Sequence, residues 1–563
     1  MAKQVRLNSS GDFINIEQHF KLVAGPGAGK TRFLINHLSN VRSNSKRLGK
    51  NKKIGCITYT NSGVNTIIER LNDSSNNIEV STIHSFLYKH VVKPYLWVLK
   101  DLNFPFDKLD GHEEPKHGFT FLTEFKSKTK QGYLTDEKEL GKALNKVRWM
   151  FNENKELQPG FYKVHHKKVG KYFLKEESCL KYKELCWEKG IMSHDDVLYF
   201  GYQLLKENKS IREVIRAKFP YIFIDEFQDT NPIQSEILKM LGEKETIIGV
   251  IGDPAQSIYS FQGASIESFS EFTLEEMVTY TITDNRRSAN EIIALANHVR
   301  SDTEFEQYNP DNKSNGKLKI LVGNSLKAYS RYMESYNQDT SDWCVISYRN
   351  KDAKNVTMDS SKEKQAADLD LFYEDNERGR MIYFILSALE YGVQMQVKEA
   401  LKLLKKAYRK VEAYDEREAI SDLKWLLDNY SDIYEASLKE FYNQYIYGRH
   451  GVKQKVQRGK YKEIYERTTF KEFSYMINII DDVSLYKTIH KVKGEEYNDV
   501  FLVLTNEKEL DFITSPDIKK EDNRVYYVAI TRTMMNLFIN VPSLDKEKEK
   551  QLEALGFSVE RVV

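Results

Sequence analysis

Short, continuous runs of apolar residues recur along this chain, and most of them end in a polar or glycine-rich turn. Runs of four to eight such residues without polar alternation are typical of strands that are buried on both faces. Amphipathic helical stretches, such as 30–38 and 234–241, lie between the runs. The alternation predicts parallel α/β sheets, whose ligands bind beyond the carboxyl ends of the strands. The runs are FKLVA (20–24), IGCITYT (54–60), YIFIDE (221–226), TIIGVIGD (246–253), WCVISY (343–348) and VFLVL (500–504).

Two long segments depart from this alternation. Residues 92–195 mix aromatic residues, lysines and helical patterns, and residues 352–482 are strongly helical. A chain of 563 residues exceeds the usual size of one domain. We therefore predict two α/β cores, each interrupted by a mainly helical insertion. The predicted order is core 1 (1–91), first insertion (92–195), core 1 continued (196–283), core 2 (284–351), second insertion (352–482) and core 2 continued (483–563).

The charge and the cysteines of the chain indicate how it could bind nucleic acid and where in the cell we expect it. The chain has 84 Lys+Arg and 82 Asp+Glu, a net charge of +2, so any nucleic acid has to be held by local basic patches. The cysteines have no C-x-x-C spacing, which disfavours a zinc or iron–sulfur site and fits a reducing cytosol. Because the chain lacks a signal core and a run of ~20 apolar residues, we expect no membrane segment and a cytoplasmic location.

The first candidate site is the glycine-rich segment AGPGAGKT (24–31), which follows a predicted strand and precedes a predicted helix. Its glycines let backbone N–H groups approach phosphate oxygens, and the helix N-terminus favours negative charge. Lys30 is expected to reach the β- and γ-phosphates of ATP, and the Thr31 hydroxyl to bind Mg²⁺. The loop residues expected to surround the phosphates are Gly25, Pro26, Gly27, Ala28 and Gly29.

A second candidate is the acidic pair that ends the segment YIFIDE (221–226). We expect Asp225 to hold Mg²⁺ and Glu226 to orient and deprotonate the water that attacks the γ-phosphate. Positive charge must also stabilise that phosphate as it leaves. Arg287, in DNRRSAN, and Arg532, in YVAITRT, are the candidates for this role.

Taken together, these segments resemble the UvrD/Rep-like branch of the superfamily 1A helicases. The resemblance covers the two cores and is weak in the insertions. It implies two RecA-like P-loop cores with the ATP site between them. The motifs that carry it, in the family's order, are AGPGAGKT (24–31), TYTNSGV (58–64), TIHSF (82–86), DEFQDT (225–230), GDPAQSIYSFQGA (252–264), NRRS (285–288), TIHKVKGEEY (488–497) and YVAITR (527–532).

The resemblance implies further nucleotide contacts at matching positions. Arg32 corresponds to an arginine that contacts the nucleotide, and Gln256 to a glutamine that senses the γ-phosphate. Glu496 corresponds to a glutamate that contacts the ribose. The two arginine fingers of the family correspond to Arg287 and Arg532.

Two features of the family's adenine site are altered. Arg286 stands where the family has a tyrosine that stacks on adenine. A guanidinium can also lie flat on a ring, so ATP binding is expected while the base preference stays open. The family's upstream adenine-reading glutamine has no evident match, and Gln4 and Gln18 are both candidates.

The resemblance also implies a path for single-stranded DNA across both cores. Bases are expected to stack on Tyr259 and Phe261, because aromatic stacking and polar phosphate contacts hold a single strand without sequence preference. The alternative for these rings is ordinary packing inside the protein. The side chains expected to contact the DNA backbone are Thr60, Asn61, Thr82, His84, Thr488 and His490.

Basic residues also cluster outside the motifs, in segments 42–53, 163–175 and 449–462. The last of these, in the second insertion, suits the phosphates of a duplex ahead of a motor as well as it suits a solvated surface. The adjacent pair His165 and His166 has no carboxylate at metal-ligand spacing, so we expect no metal there.

These observations favour an ATP-dependent DNA helicase or translocase that acts on single strands and duplex junctions, with 3′→5′ movement implied by the resemblance. One alternative is a DNA-end or single-strand sensor that regulates a separately encoded nuclease. The compact layout is similar to the helicase component of Gabija-type antiphage systems, which pairs with an OLD-like nuclease. A P-loop ATPase that acts on something other than nucleic acid is a third possibility, which the strand-gripping motifs disfavour.

Overall fold

The computed structural model describes most of the chain. The described residues are 4–71, 77–99, 103–106, 109, 115, 117–260, 263–302, 305–336, 342–349, 352–353, 356, 376–393, 395–409, 411, 414–457, 462–474 and 485–562.

The strands are numbered in chain order over the described residues. They are β1 (Gln4–Arg6), β2 (Phe20–Ala24), β3 (Ile54–Thr58), β4 (Ile78–Thr82), β5 (Arg148–Phe151), β6 (Leu157–Gly160), β7 (Lys168–Val169), β8 (Tyr172–Phe173), β9 (Tyr221–Ile224), β10 (Ile247–Gly252), β11 (Val278–Ile282), β12 (Lys317–Val322), β13 (Trp343–Ser347), β14 (Tyr486–Thr488), β15 (Tyr497–Val503), β16 (Thr533–Val541) and β17 (Ser558–Arg561).

The α-helices of core 1 and the first insertion are Lys30–Asn44, Asn61–Leu71, Ile83–Leu87, Lys93–Tyr95, Phe119–Lys128, Glu137–Leu144, Ser178–Glu188, His194–Glu207, Lys209–Lys218, Pro232–Gly242 and Ile266–Ser270. Those of core 2 and the second insertion are Asn290–Arg300, Ser325–Ser335, Asn376–Val393, Val397–Ala407, Glu416–Asp428, Tyr430–Glu435, Leu438–Phe441, Lys462–Arg467, Phe470–Ser474, Asp511–Thr514, Glu521–Ile530 and Lys546–Ala554.

Two parallel sheets form the centres of the two cores. The first has the order β1-β11-β2-β10-β9-β3-β4, and the second has the order β14-β13-β15-β16-β12-β17. Every neighbouring pair in both sheets is parallel. All six apolar runs of the sequence lie on these strands, and the prediction of two parallel-sheet α/β cores is confirmed.

The register of the first sheet brings distant motifs to one edge. Val23 is opposite Gly252, and Ile224 is opposite both Val250 and Ile57. Parallel strands have their carboxyl ends at the same edge of a sheet, where open α/β proteins bind ligands. The glycine-rich loop, the acidic pair and the GDPAQ segment therefore emerge side by side.

The first insertion contains strands that the sequence patterns did not predict. Two short antiparallel hairpins, β5–β6 and β7–β8, lie among its helices. The second hairpin turns at Gly170, whose φ of +59° is readily adopted by glycine. Strands of two to four residues are too short to show a clear period of two, so the sequence pattern did not reveal them.

The second insertion packs its helices around a core of its own. Ile385, Leu404, Leu426 and Phe441 are among its buried residues. No helix in the part of the chain that the structure describes combines the length and the apolarity needed to cross a membrane. The domain boundaries given above remain predictions.

His37 makes the stability of core 1 depend on pH. Its side chain is buried, with ring centroids 4.9 Å from Phe20 and from Phe223, and burial lowers its pKa from 6.5 to about 4. As the pH falls below about 6.5, His37 therefore becomes protonated in the unfolded chain but stays neutral in the folded chain. The free energy of unfolding therefore decreases as the pH falls towards 4.

We expect thermal unfolding of the wild type to move to lower temperature between pH 7 and pH 5, by the equivalent of about 2 kcal/mol from this group. The variant His37→Phe keeps an aromatic ring in place but cannot titrate, so its melting temperature should fall less. Equal decreases in the two proteins, measured by differential scanning calorimetry, would contradict the assignment.

Candidate active site

The loop between β2 and helix Lys30–Asn44 has the geometry of a phosphate cradle. Gly27 and Gly29 have φ of +69° and +80°, and Gly29 caps the helix without a side-chain hydrogen bond. The first turn carries no acidic residue, so its backbone N–H groups and the positive helix end suit an anion. A Cβ on Gly27 would lie 2.2 Å from Asn285 Oδ1, so only glycine fits there.

The basic residues after this loop lie where the sequence predicts them. Lys30 Nζ is 3.3 Å from the carbonyl oxygen of Ala24, inside the loop that it is expected to share with the phosphates. Thr31 is partly buried and Arg32 is exposed beside it. The structure thus brings Lys30, Thr31 and Arg32 together at the start of one helix.

The acidic pair lies directly beyond β9, at the edge where the phosphate loop emerges. Burial and the neighbouring Glu226 raise the pKa of Asp225 to about 7. Burial also acts to raise the pKa of Glu226, but the positive charges of Lys30, Lys493 and Arg532 outweigh it and lower that pKa. Glu226 has φ of +53°, an uncommon conformation for a residue with a side chain and one that concentrates at functional sites.

This donor set fits Mg²⁺ and a triphosphate. Asp225 is a buried carboxylate with a raised pKa, and a divalent cation next to it would stabilise the ionised form. Hard cations prefer such oxygen ligands. The cationic groups of Lys30, Arg287 and Arg532 suit the phosphate oxygens. The residues present therefore fit both groups.

The predicted arginine fingers lie where the two cores meet. Arg532 is buried, and its Nη2 donates a hydrogen bond to Gln256 Oε1 at 3.1 Å. Burial and the nearby Arg287 guanidinium lower the pKa of Arg532 to about 9. Arg287 Nε lies 2.6 Å from Glu496 Oε2, a close ion pair without hydrogen-bond alignment. In this structure Glu496 therefore contacts an arginine finger, and its ribose contact remains a prediction.

Two residues that the sequence reasoning passed over join the cores at this site. Lys493 Nζ is 2.5 Å from Asp229 Oδ2 and donates a hydrogen bond to the carbonyl oxygen of Gln256 at 2.8 Å. Burial raises the pKa of Asp229 to about 7, against the lowering effect of Lys493. Asp229 lies in the motif DEFQDT (225–230) and Lys493 in the motif TIHKVKGEEY (488–497). Their positions in these motifs were the sequence signal that could have identified them.

Two residues of core 2, Arg286 and Gln307, pack directly on the phosphate loop. Arg286 donates its backbone N–H to the carbonyl oxygen of Gly27 at 3.2 Å, and Gln307 Nε2 donates to that of Pro26 at 2.9 Å. The Arg286 guanidinium lies 3.3 Å from Asp311 and 3.4 Å from Asp284. Arg286 therefore contacts the loop through its backbone while its guanidinium pairs with two carboxylates, and its contact with adenine remains a prediction.

Neither candidate for the adenine-reading glutamine lies at this loop. Gln18 Nε2 donates to the carbonyl oxygen of Glu276, which precedes β11 and so lies at the amino edge of the sheet, away from the phosphate loop. Gln4 begins β1, opposite Thr279 near the start of β11. Ser10 is the residue that the structure brings to the loop instead, because a Cβ on Gly29 would lie 2.7 Å from its Oγ.

The predicted DNA-backbone residues follow the carboxyl ends of strands in both sheets. Thr60 Oγ1 accepts from the N–H of Gly63 at 3.0 Å, and Thr82 Oγ1 accepts from that of Ser85 at 3.3 Å, so both hydroxyls also cap turns. Asn61 is exposed, and His84 is partly exposed with its ring 5.8 Å from that of His194.

The counterparts of these residues in core 2 lie at the end of β14. Thr488 ends this strand, and His490 follows it, partly exposed. The carbonyl oxygen of His490 accepts a hydrogen bond from the hydroxyl of Tyr259 at 3.2 Å. His490, one of the two predicted DNA residues of core 2, is therefore in direct contact with a motif of core 1.

The structure describes one of the two rings that are predicted to stack on DNA bases. The ring of Tyr259 is stacked on that of Tyr59 at 5.2 Å, and Lys493 Nζ lies 4.9 Å from its centroid. Tyr259 thus contributes to packing between the cores in this structure, which was the alternative noted for it. Phe261 lies outside the described residues, and its stacking role remains a prediction.

Comparisons with known proteins agree with this geometry. Residues 11–277 match the UvrD/REP helicase N-terminal domain, and residues 324–543 match the UvrD-like helicase C-terminal domain. A glycine-rich phosphate loop and a buried acidic pair at one edge of a parallel sheet, beside a second RecA-like core, are the layout of P-loop nucleotide-binding proteins. The chain belongs to the UvrD/Rep family of helicases.

Relatives of known description include ATP-dependent DNA helicases. ATP-dependent DNA helicase Rep of Buchnera aphidicola subsp. Baizongia pistaciae is 23% identical over 92% of this chain and 88% of its own length. The probable DNA helicase II homologue of Mycoplasma capricolum is 25% identical over 57% of this chain and 45% of its own length. ATP-dependent DNA helicase srs2 of Schizosaccharomyces pombe is 27% identical over 58% of this chain and 38% of its own length. The last two matches span less than half of those proteins.

Proposed function

We propose that this chain is an ATP-dependent DNA helicase that moves 3′→5′ along single-stranded DNA and separates strands at duplex junctions. The observation that carries the proposal is the convergence of Lys30 and Glu226 from core 1 with Arg532 from core 2 in one cleft. The pKa of Glu226 is lowered by the charges of Lys30 and Arg532, so the cores already form one electrostatic unit.

The chemistry follows from the positions of these groups. The phosphate-loop N–H groups and Lys30 bind the triphosphate, and Arg32 contacts the nucleotide beside them. Thr31 and Asp225 hold Mg²⁺, which neutralises charge on the phosphates when bound. Glu226, kept ionised by its cationic neighbours, accepts a proton from the attacking water.

The second core supplies the remaining positive charge. Arg287 and Arg532 stabilise the negative charge that develops on the γ-phosphoryl group in the transition state. Gln256 of core 1 links Arg532 to the rest of that core. Its Oε1 accepts a hydrogen bond from Arg532, and its Nε2 donates a hydrogen bond to Asp253 at 2.8 Å. Loss of the γ-phosphate therefore weakens the interaction between the cores.

Movement on DNA is the consequence of that weakening. Core 1 holds the strand through Thr60, Asn61, Thr82 and His84, and core 2 holds it through the equivalent pair after β14, Thr488 and His490. When the cleft opens, the distance between the two sets of contacts changes, so alternating grips advance the protein along the strand. Phe261 completes the path by stacking on bases.

The decisive experiment measures ATP hydrolysis by the purified chain with and without single-stranded DNA, together with strand separation of duplexes that carry a 3′ or a 5′ tail. We expect hydrolysis to depend on single-stranded DNA and separation to require the 3′ tail. Hydrolysis without separation would favour the alternative in which the chain senses strands for a separate nuclease. Hydrolysis indifferent to any nucleic acid would overturn the proposal.

A further inference from the structure

Aromatic rings are exposed on one hairpin of the first insertion. The hairpin, residues 163–175, includes β7 and β8, and Tyr172 and Phe173 are 50% and 49% exposed on it. Tyr133, 38% exposed, lies beside it with its ring 5.3 Å from that of Tyr172. Successive residues of a strand point to opposite faces, so Tyr172 and Tyr133 form a pair on one face and Phe173 lies on the other, next to Lys168. Exposed large rings on both faces of one hairpin indicate a binding surface.

The same hairpin carries a high density of positive charge. Lys163, Lys168 and Lys171 are exposed, and none of the ion pairs among the described residues involves them. The pKa of His166 is lowered by partial burial and then by the neighbouring Lys146, Lys163 and Arg148. The local potential is therefore positive although the whole chain is close to neutral.

The hairpin is held in place by the rest of the insertion. Val169 and Leu174 are buried in the apolar cluster that also contains Phe125 and Leu140. The backbone N–H of Gly170 donates a hydrogen bond to the Glu139 carboxylate, which fixes the turn. Because the scaffold is ordered, the exposed rings can bind a ligand at a small entropic cost.

The hairpin begins next to the predicted DNA path. Tyr162, the residue before it, lies so close to Gly263 that a Cβ there would be 2.2 Å from the Tyr162 hydroxyl oxygen. Gly263 belongs to the GDPAQSIYSFQGA motif, two residues beyond Phe261. A strand that leaves the cores at this motif therefore passes the point where the hairpin begins.

Stacking rings interleaved with lysines match one class of ligand best. A duplex hides the faces of its bases inside the stack and presents only phosphates, whereas a single strand presents both base faces and phosphates. An acidic peptide would use the lysines but not the three rings. The pattern therefore favours single-stranded nucleic acid.

We propose that the hairpin 163–175 is a second single-strand binding surface, on which Tyr172, Phe173 and Tyr133 stack bases and Lys163, Lys168 and Lys171 bind phosphates. It rests on the proposed function, because it extends the strand path beyond the two cores. It adds contacts to a strand already held by the motor, so its contribution depends on the length of the strand.

The test compares binding of a short oligo(dT), about 8 nucleotides, and a long one, about 25 nucleotides, to the full-length chain by fluorescence anisotropy. The double variant Tyr172→Ala/Phe173→Ala is expected to bind the long strand about tenfold more weakly and the short strand as the wild type does. The double variant Lys168→Ala/Lys171→Ala is expected to flatten the dependence of the long-strand affinity on salt by about one to two ions. The conservative variant Tyr172→Phe keeps the ring and should bind like the wild type.

Matched controls separate a local effect from a general one. Phe119→Ala removes an exposed ring elsewhere in the same insertion, and Lys52→Ala/Lys244→Ala removes two exposed lysines at the amino edge of the first sheet. Neither should change the long-strand affinity. Single-strand-stimulated ATP hydrolysis should be unchanged in these two control variants, since neither lies at the nucleotide site or on the hairpin.

Wild-type affinity of Tyr172→Ala/Phe173→Ala for the long strand would overturn the inference, and so would an equal loss for both lengths. Unchanged DNA binding with reduced self-association in sedimentation would reassign the surface to a second copy of the chain. Absence of any single-strand binding by the wild type would instead refute the proposed function, so the two failures are distinguishable.

Discussion

Glu226→Gln is expected to lower kcat for ATP hydrolysis by roughly 10²- to 10⁴-fold, because an amide cannot accept the proton of the attacking water. The amide oxygen can still accept the hydrogen bond that Gln228 Nε2 donates to Glu226 Oε2 at 2.5 Å, so the local fold should persist. ATP binding, followed with a fluorescent nucleotide, should therefore remain close to that of the wild type. Hydrolysis is measured at saturating single-stranded DNA.

Glu236→Gln is the matched control for this experiment. Glu236 lies in helix Pro232–Gly242, where it pairs with Lys239 at 2.8 Å and has no contact with the phosphate loop. It undergoes the same chemical change, and its turnover should equal that of the wild type. A folded Glu226→Gln protein with normal turnover would show that another group is the general base.

Arg532→Ala is expected to lower kcat by roughly 10³- to 10⁵-fold, the range typical of an arginine finger. The guanidinium is buried and donates to Gln256 across the cleft, so its loss removes both the positive charge and a contact between the cores. Because it acts in the transition state, kcat should fall far more than KM rises. Arg532→Lys keeps the charge without the planar fork and should recover only part of the activity.

Arg331→Ala provides the matched control within core 2. Arg331 is an exposed residue of helix Ser325–Ser335, and its Nε pairs with Glu560 at 2.6 Å. Its removal should leave hydrolysis unchanged. A kcat for Arg532→Ala within about twofold of the wild type would exclude its role as a finger and leave that role to Arg287.

The buried strands were the most predictable part of the fold. A strand in the middle of a parallel sheet is covered on both faces, so segments such as YIFI and IIGVIG have to be continuously apolar and stand out in the sequence. Strands such as β11 (VTYTI) and β17 (SVER) are partly exposed and carry no such run. The hairpin β7–β8 was also missed, because strands of two residues carry no periodicity.

The chemistry of the site could be predicted because its residues are attached to short motifs. Lys30 has to follow a glycine turn and Glu226 has to end a buried strand, and both constraints act between neighbours in the chain. By contrast, Lys493 and Asp229 are separated by 264 positions, and Arg532 and Gln256 by 276. Which of many lysines and arginines reach the cleft depends on how the two sheets face each other.

The sequence by itself therefore determined the two α/β cores, the phosphate loop, the acidic pair and the family to which they belong, since local backbone and burial requirements leave these signatures. Only the tertiary structure decided that Glu496 pairs with Arg287, that Gln18 lies at the wrong edge of the sheet, and that Tyr259 stacks on Tyr59. Those contacts join segments that are far apart in the chain but belong to the same core, and the packing of the elements within each core selects them. No short segment of the sequence indicates, by its residues or their spacing, which distant segment it will pack against.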